Sequence, residues 1–149
     1  MDIVVLKKIC SFCTYQERTQ DEVRKKLSEW KVFSEEAEEI IAWLILENFI
    51  NEERFAKIFA GGKFRIKNWG KRKIIFELKS RKLSPYCIQS ALREISDEDY
   101  KEKIGVLIKK KSIGLIESNS LIKKQKIANY LITKGYESEL IWSHLNKIL

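Results

Sequence analysis

The sequence predicts an all-α protein, and three observations predict it. Charged residues fill 34% of the chain, with one proline and six glycines; a β-sandwich needs turn chemistry about every 8–12 residues, and this composition cannot supply it. Hydrophobic residues at 44% and aromatic residues at 11% are enough for a real core, so disorder is excluded as the main state. One helical pattern also recurs three times. Val23-x-x-x-Leu27, Ile74-x-x-x-Leu78 and Ile127-x-x-x-Leu131 fall in register, their leucines 51 and 53 residues apart. The agreement continues through Val32, Leu83 and Tyr136, then Ala37, Ile88 and Ile141, then Ile41, Leu92 and Leu145. Each copy reads as two short helices with a turn between them, preceded by a longer leading helix. The expected architecture is nine or ten helices in three units, 1–50, 51–96 and 97–149, whose apolar faces bury one another.

Taken in order, the elements have local reasons. The first leading helix spans Asp2 to Tyr15. Thr19-Gln20-Asp21-Glu22 forms a capping box at the start of the next helix, the threonine oxygen taking one orphan N–H while Glu22 reaches back to the cap. Ser34, followed by Glu35 and Glu36, places a cap and acids on the positive end of the third helix. The second leading helix runs from Asn51 to about Lys67, with Phe55, Ile58, Phe59 and Ile66 as its stripe. Gly61-Gly62 in mid-run costs roughly 1 kcal/mol per glycine relative to alanine, so a kink or break is expected there. Ser84-Pro85 is a cap before a proline at the first helical position. The third leading helix spans Asp97 to about Lys111, periodicity fades from Ser112 to Ser120, and Leu121 resumes it. Lys134-Gly135-Tyr136 carries the glycine that a left-handed helix stop prefers; Trp30-Lys31 and Arg81-Lys82 lack it and are expected to stop by another geometry. Gly70 reads as a turn glycine whose φ other residues dislike, with Trp69 packing the same corner.

Several function classes are excluded. The longest nearly uncharged apolar run, Ala42 to Ile50, is interrupted by Glu47 and is far short of the roughly 20 residues that span a bilayer. Three cysteines without a secretory leader argue for a reducing, cytoplasmic setting. Cys10-Ser11-Phe12-Cys13 spells C-x-x-C, but no second pair follows and the one histidine, His144, lies at the far end; two buried cysteines in a helix are expected, and no metal site. Nucleophile-elbow, zinc-protease, Walker and dinucleotide motifs are absent, so neither an enzyme nor a cofactor is expected.

The net charge of +8 is unevenly shared. Residues 1–50 carry 7 basic and 10 acidic groups, 51–100 carry 12 and 7, and 101–149 carry 10 and 4. Nine cations lie between Lys63 and Lys82, namely Lys63, Arg65, Lys67, Lys71, Arg72, Lys73, Lys79, Arg81 and Lys82, against the single acid Glu77. Phe64, Trp69 and Phe76 interleave with them, as on a surface that tracks phosphates and lets a base stack; by helical spacing Phe64 and Phe76 read as core. Lys109, Lys110, Lys111, Lys123, Lys124 and Lys126 form a second cluster without an arginine fork, suited to diffuse attraction rather than base reading.

Phe49-Ile50-Asn51-Glu52-Glu53-Arg54-Phe55-Ala56, a basic helix, Gly70-x-x-x-Ile74-x-x-x-Leu78-x-x-x-Lys82-Leu83 and then Ile88-x-x-Ala91-Leu92 resemble the RecX family, regulators of the RecA recombinase. The resemblance implies an elongated, curved array of three three-helix units. It implies a monomeric modulator that lies in the groove of a RecA filament on DNA and limits filament extension, strand exchange, ATP hydrolysis and the co-protease activity behind the SOS response. It also implies weak, sequence-independent contact with single- or double-stranded DNA and none with a membrane. Arg54, Phe55 and Ala56 fall on the family's strongest signature, the last two as packing and Arg54 as exposed or paired; Gly70 matches its turn glycine. Three departures bear on the middle unit: Asn51-Glu52 where two aspartates are common, Gly61-Gly62 within a usually continuous helix, and Lys82 in place of a glycine. The alternative is a stand-alone nucleic-acid-binding helical protein, although no helix gathers the Arg, Asn and Gln set that reads base edges. A third reading is a protein-interaction scaffold with no DNA role.

Overall fold

The computed structural model describes residues 1–148, and among them the chain is all-α, with nine helices and no strand. They are α1 (Ile3–Tyr15), α2 (Gln20–Glu29), α3 (Ser34–Leu46), α4 (Glu52–Arg65), α5 (Lys71–Ser80), α6 (Pro85–Leu92), α7 (Asp97–Gly114), α8 (Ser120–Lys134) and α9 (Ser138–Ile148). The strongest helix–helix contacts fall within consecutive triplets: α2 with α3, α4 with α6, and α7 with α8 and α9. No helix of the described residues is long and apolar enough to cross a membrane.

Helix starts follow side-chain chemistry. Asp2, Thr19, Asn51, Ser84, Ser96 and Asn119 each cap the following helix through a side-chain oxygen. The box at Thr19 closes from one side: Thr19 Oγ1 accepts the Glu22 amide at 3.1 Å, while the Glu22 carboxylate faces Arg18. The expected cap at Ser34 is displaced. Phe33 holds the N-cap position without a side-chain bond, and Ser34, the first residue of α3, takes a left-handed φ of 52°. The short link from α2 must also bury Val32, so the turn overlaps the helix start.

All three repeat copies stop their middle helix in the same way, which corrects the expectation of different geometries. Lys31, Lys82 and Gly135 take φ of 64°, 61° and 102°. The next amide in each copy returns to the repeat leucine: Val32 to Leu27, Leu83 to Leu78, Tyr136 to Leu131, at 2.9, 3.3 and 3.1 Å. This is the six-to-one bond of a left-handed stop, followed by a buried apolar side chain. Lysine adopts a conformation that its Cβ disfavours by roughly 1–2 kcal/mol because the loop bonds and the buried Val32 and Leu83 over-determine it.

The glycine pair leaves α4 unbroken through Gly61 and Gly62, against the expected kink. Their propensity penalty is outweighed by tertiary packing: Phe55, Ala56, Ala60, Gly61 and Phe64 are buried. Gly70 is needed for a different reason than its φ, which is an ordinary −80°. A Cβ there would collide with the Gly135 carbonyl and the Tyr136 amide.

Two cores result. Ile9, Val23, Leu27, Ile40, Leu44 and their neighbours close one within α1–α3. A second runs without interruption from Phe55 to Leu145 through α4–α9, bridged by the Phe64–Tyr100 and Tyr100–Tyr136 ring contacts at 6.0 and 5.2 Å. Cys13 is buried and Cys10 half-buried in α1, and all three cysteines are thiols. Burial pushes the Cys13 thiol up to about 11, which makes it a poor nucleophile.

Candidate functional site

The signature segment lies at the joint between the first and second triplets. Phe55 and Ala56 pack in the core. Arg54 is paired: its Nε donates to Glu17 at 2.8 Å and its Nη2 to the Asn48 carbonyl at 3.1 Å. Glu52, the first residue of α4, accepts the Gln20 amide at the start of α2 at 3.1 Å, and burial raises its carboxyl above the ordinary range. Lys82 completes the joint 3.6 Å from Asp21.

The basic segment of the second triplet is arranged about α5. Gly70 at the N-cap of this helix has no side chain to offer; the Gly70 and Arg72 amides donate to the Lys134 and Gly135 carbonyls at 2.8 and 2.9 Å. The positive end of α5 therefore meets the negative end of α8, a favourable head-to-tail contact of helix dipoles. The Lys71 amide donates to Tyr100 Oη at 2.9 Å, and Tyr100 in turn donates to the Glu137 carboxylate. Burial and that carboxylate push the Tyr100 phenol far up, so it stays a neutral donor. Lys103 and Tyr136 add bonds to Asn68 at 2.9 and 3.0 Å.

Around this frame the predicted cations separate by role. Lys71 lies over the Tyr100 ring at 4.6 Å and near Asp97. Lys63 and Lys73 both sit on Trp69, at 4.9 and 4.6 Å, and Trp69 packs edge-on against Phe59 as the expected corner residue. Arg81 is held by Glu77 at 2.9 Å and covers the Phe59 ring. Arg65 leaves the row to line a recess of about 320 Å³ with Glu94, Asp99 and Glu102. Lys67, Arg72 and Lys79 remain exposed, and no ion pair involving them is found among the described residues. In the second cluster Lys109 and Lys110 are exposed in the same way, Lys111 covers the Tyr130 ring at 4.6 Å, Lys126 lies 3.4 Å from Glu117, and Lys123 and Lys124 are half-buried.

Phe64 is buried as expected, but Phe76 is 69% exposed on α5. Its position satisfies helical spacing, yet Ile74 and Leu78 already supply the buried stripe and Phe76 falls outside it. The joint residues Tyr100, Asn68, Lys103 and Glu137 carried no local sequence signal, because each acts across about 30 or more residues. The described residues hold no group of three or more His, Cys, Asp or Glu positioned for a metal ion.

Comparison with known proteins places this arrangement. The family model for the second three-helix domain of RecX matches residues 51–92. The chain is 31% identical over 144 residues to the regulatory protein RecX of Clostridium acetobutylicum, covering 93% of this chain and 64% of the relative. It is 28% identical over 131 residues to that of Bacillus cytotoxicus, covering 88% and 48%. The chain thus spans about half to two thirds of the length of these curated relatives. The fold superposes on the crystal structure of RecX from Lactobacillus salivarius with a TM-score of 0.89 at 24% identity, covering 97% of this chain and 94% of that one. A second crystal structure of regulatory protein RecX gives 0.84 at 22% identity, covering 97% and 71%. The signature joint, the glycine at the head of α5 and the similarity along nearly the whole chain lead to one conclusion: this chain belongs to the RecX family.

Proposed function

We propose that this protein is a non-enzymatic modulator of the RecA recombinase, binding as a monomer in the groove of the RecA–DNA filament and limiting its extension. Strand exchange, ATP hydrolysis and co-protease activity then fall together, since all depend on an extended filament. Membership of the RecX family is the observation that carries this reading. We assign the working units as 1–50, 51–96 and 97–149; a tandem array of this kind lets several weak contacts along a filament act at high effective concentration.

The cations free to meet a polyanion are Arg72, Lys79 and Lys67 on the second unit, with Lys109 and Lys110 on the third. The remaining members of the two clusters, Lys63, Arg65, Lys71, Lys73, Arg81, Lys82, Lys111, Lys123, Lys124 and Lys126, add to the field, and seven of them are engaged with rings or acids of the chain itself. Such contacts are sequence-independent and weaken with salt.

The test is DNA-dependent ATP hydrolysis by the cognate recombinase on single-stranded DNA, with this protein titrated from far below one per recombinase protomer. Inhibition at low ratios is expected. No inhibition, with binding to naked DNA intact, would favour a stand-alone nucleic-acid-binding protein, the reading that the unpaired cations of α5 also support. Arg72→Glu with Lys79→Glu should weaken inhibition and leave the helical circular dichroism unchanged, because both side chains are exposed.

A further inference from the structure

We infer that Phe76 is a stacking platform for one unpaired nucleobase, so that the basic face of α5 recognises single-stranded rather than duplex nucleic acid. The inference deepens the reading of that face as nucleic-acid-facing and rests on it. Isolated exposed apolar residues are ordinary, and this chain has several. What singles out Phe76 is its company. The outward stripe of α5 reads Arg72, Phe76, Lys79, Ser80, all exposed, with the Lys73 ammonium drawn aside onto Trp69. Glu77, the single acid of the helix, is held by Arg81 on another face. One bare ring thus stands between two cations for which no ion pair is found among the described residues.

The spacing suits a strand with a base turned toward the protein. Arg72 and Lys79 are seven residues apart, roughly 10 Å along the helix axis, with the ring between them. Their long side chains can reach the phosphates on either side of a base that lies on Phe76. The phosphate surface of a duplex offers this ring no apolar partner, because its base faces are already stacked; a single strand offers a face at every nucleotide. The platform is also fixed in place. Backbone bonds from Gly70 and Arg72 to α8, together with the buried Ile74 and Leu78, hold α5 before any ligand arrives, which lowers the ordering cost of binding.

The experiment measures fluorescence anisotropy of a labelled oligothymidine and of a duplex of equal length, with wild-type protein and the variants Phe76→Ala, Phe76→Leu, Phe76→Tyr and Arg72→Glu/Lys79→Glu. Loss of one base stack should weaken oligothymidine binding by Phe76→Ala about tenfold, with Phe76→Leu equally weak, Phe76→Tyr near wild type and duplex binding little changed. Arg72→Glu/Lys79→Glu should weaken both ligands. Thermal melting checks that the exposed position leaves folding intact. Oligothymidine binding unchanged in Phe76→Ala but lost in Arg72→Glu/Lys79→Glu overturns the stacking platform and leaves the basic face standing. Equal loss on duplex overturns it in favour of a wedge into base steps. Loss of recombinase inhibition with both affinities unchanged overturns it in favour of a protein contact, and no effect of any variant on any ligand overturns the basic-face reading as well.

Discussion

The two joints between helix triplets are built on one plan and executed differently. In each, the stop of one middle helix approaches the start of the preceding middle helix: Lys82 at the end of α5 faces Asp21 in α2, and Gly135 at the end of α8 faces Gly70 before α5. In each, the first amide of the approached helix donates to a side chain of the following leading helix, Gln20 to Glu52 and Lys71 to Tyr100. At the first joint a lysine ammonium links the helix ends, α2 caps itself with Thr19, and the cores on either side are separate. At the second, backbone meets backbone, α5 relies on the carbonyls of α8 for its cap, and one core crosses the boundary. The difference teaches that repeat geometry sets where units meet, whereas the residues at two helix ends set how firmly.

The largest way to break this contrast is Gly70→Ala. Its methyl group enters the Gly135 backbone, and a loss of about 2–4 kcal/mol is expected in denaturant unfolding, against little change for Thr19→Ser at the equivalent position of the first joint. Next, Tyr100→Phe leaves the Lys71 amide and the Glu137 carboxylate without their shared partner and should cost about 2 kcal/mol by the same measurement. Arg54→Ala removes a partly exposed ion pair at the first joint; about 1 kcal/mol is expected at low ionic strength, shrinking at high salt, while the Gly70→Ala loss stays constant. An Arg54→Ala loss independent of salt would show that the first joint is not electrostatic. Smallest, Lys31→Gly should stabilise by about 0.5–1 kcal/mol, because glycine accepts the left-handed φ that lysine is forced to take.

Much of this was legible in the sequence because it is local. The 51- and 53-residue register of Leu27, Leu78 and Leu131, the caps at Thr19 and Ser84, and the apolar positions after each stop needed only helical spacing and turn chemistry, whereas the cap read at Ser34 lies at Phe33 and those at Asn51 and Ser96 went unread. Gly70 was found for the wrong reason: a glycine required by a neighbour's backbone looks, in sequence, like one required by φ. Lysines at 31 and 82 hid a stop that glycine announces at 135, since tertiary contacts can hold any residue there. For the cations, charge and position identified the right segment but could not separate Arg72 and Lys79 from Lys71, Lys73 or Arg81, whose ring and acid partners lie on other turns or other helices. Phe76 read as core because exposed and buried positions on a ten-residue helix differ by a rotation that spacing alone does not orient.

Gly135 carries two independent constraints at once, a left-handed backbone and a neighbour where its Cβ would be, near Lys73. Relaxing either leaves the other in force. A saturation library should therefore find position 135 closed to every side chain, while positions 31 and 82, left-handed as well but holding exposed lysines, accept most of them. Mutational tolerance at these three equivalent stops would then report, without any structure, which helix end is docked against another and which stands apart.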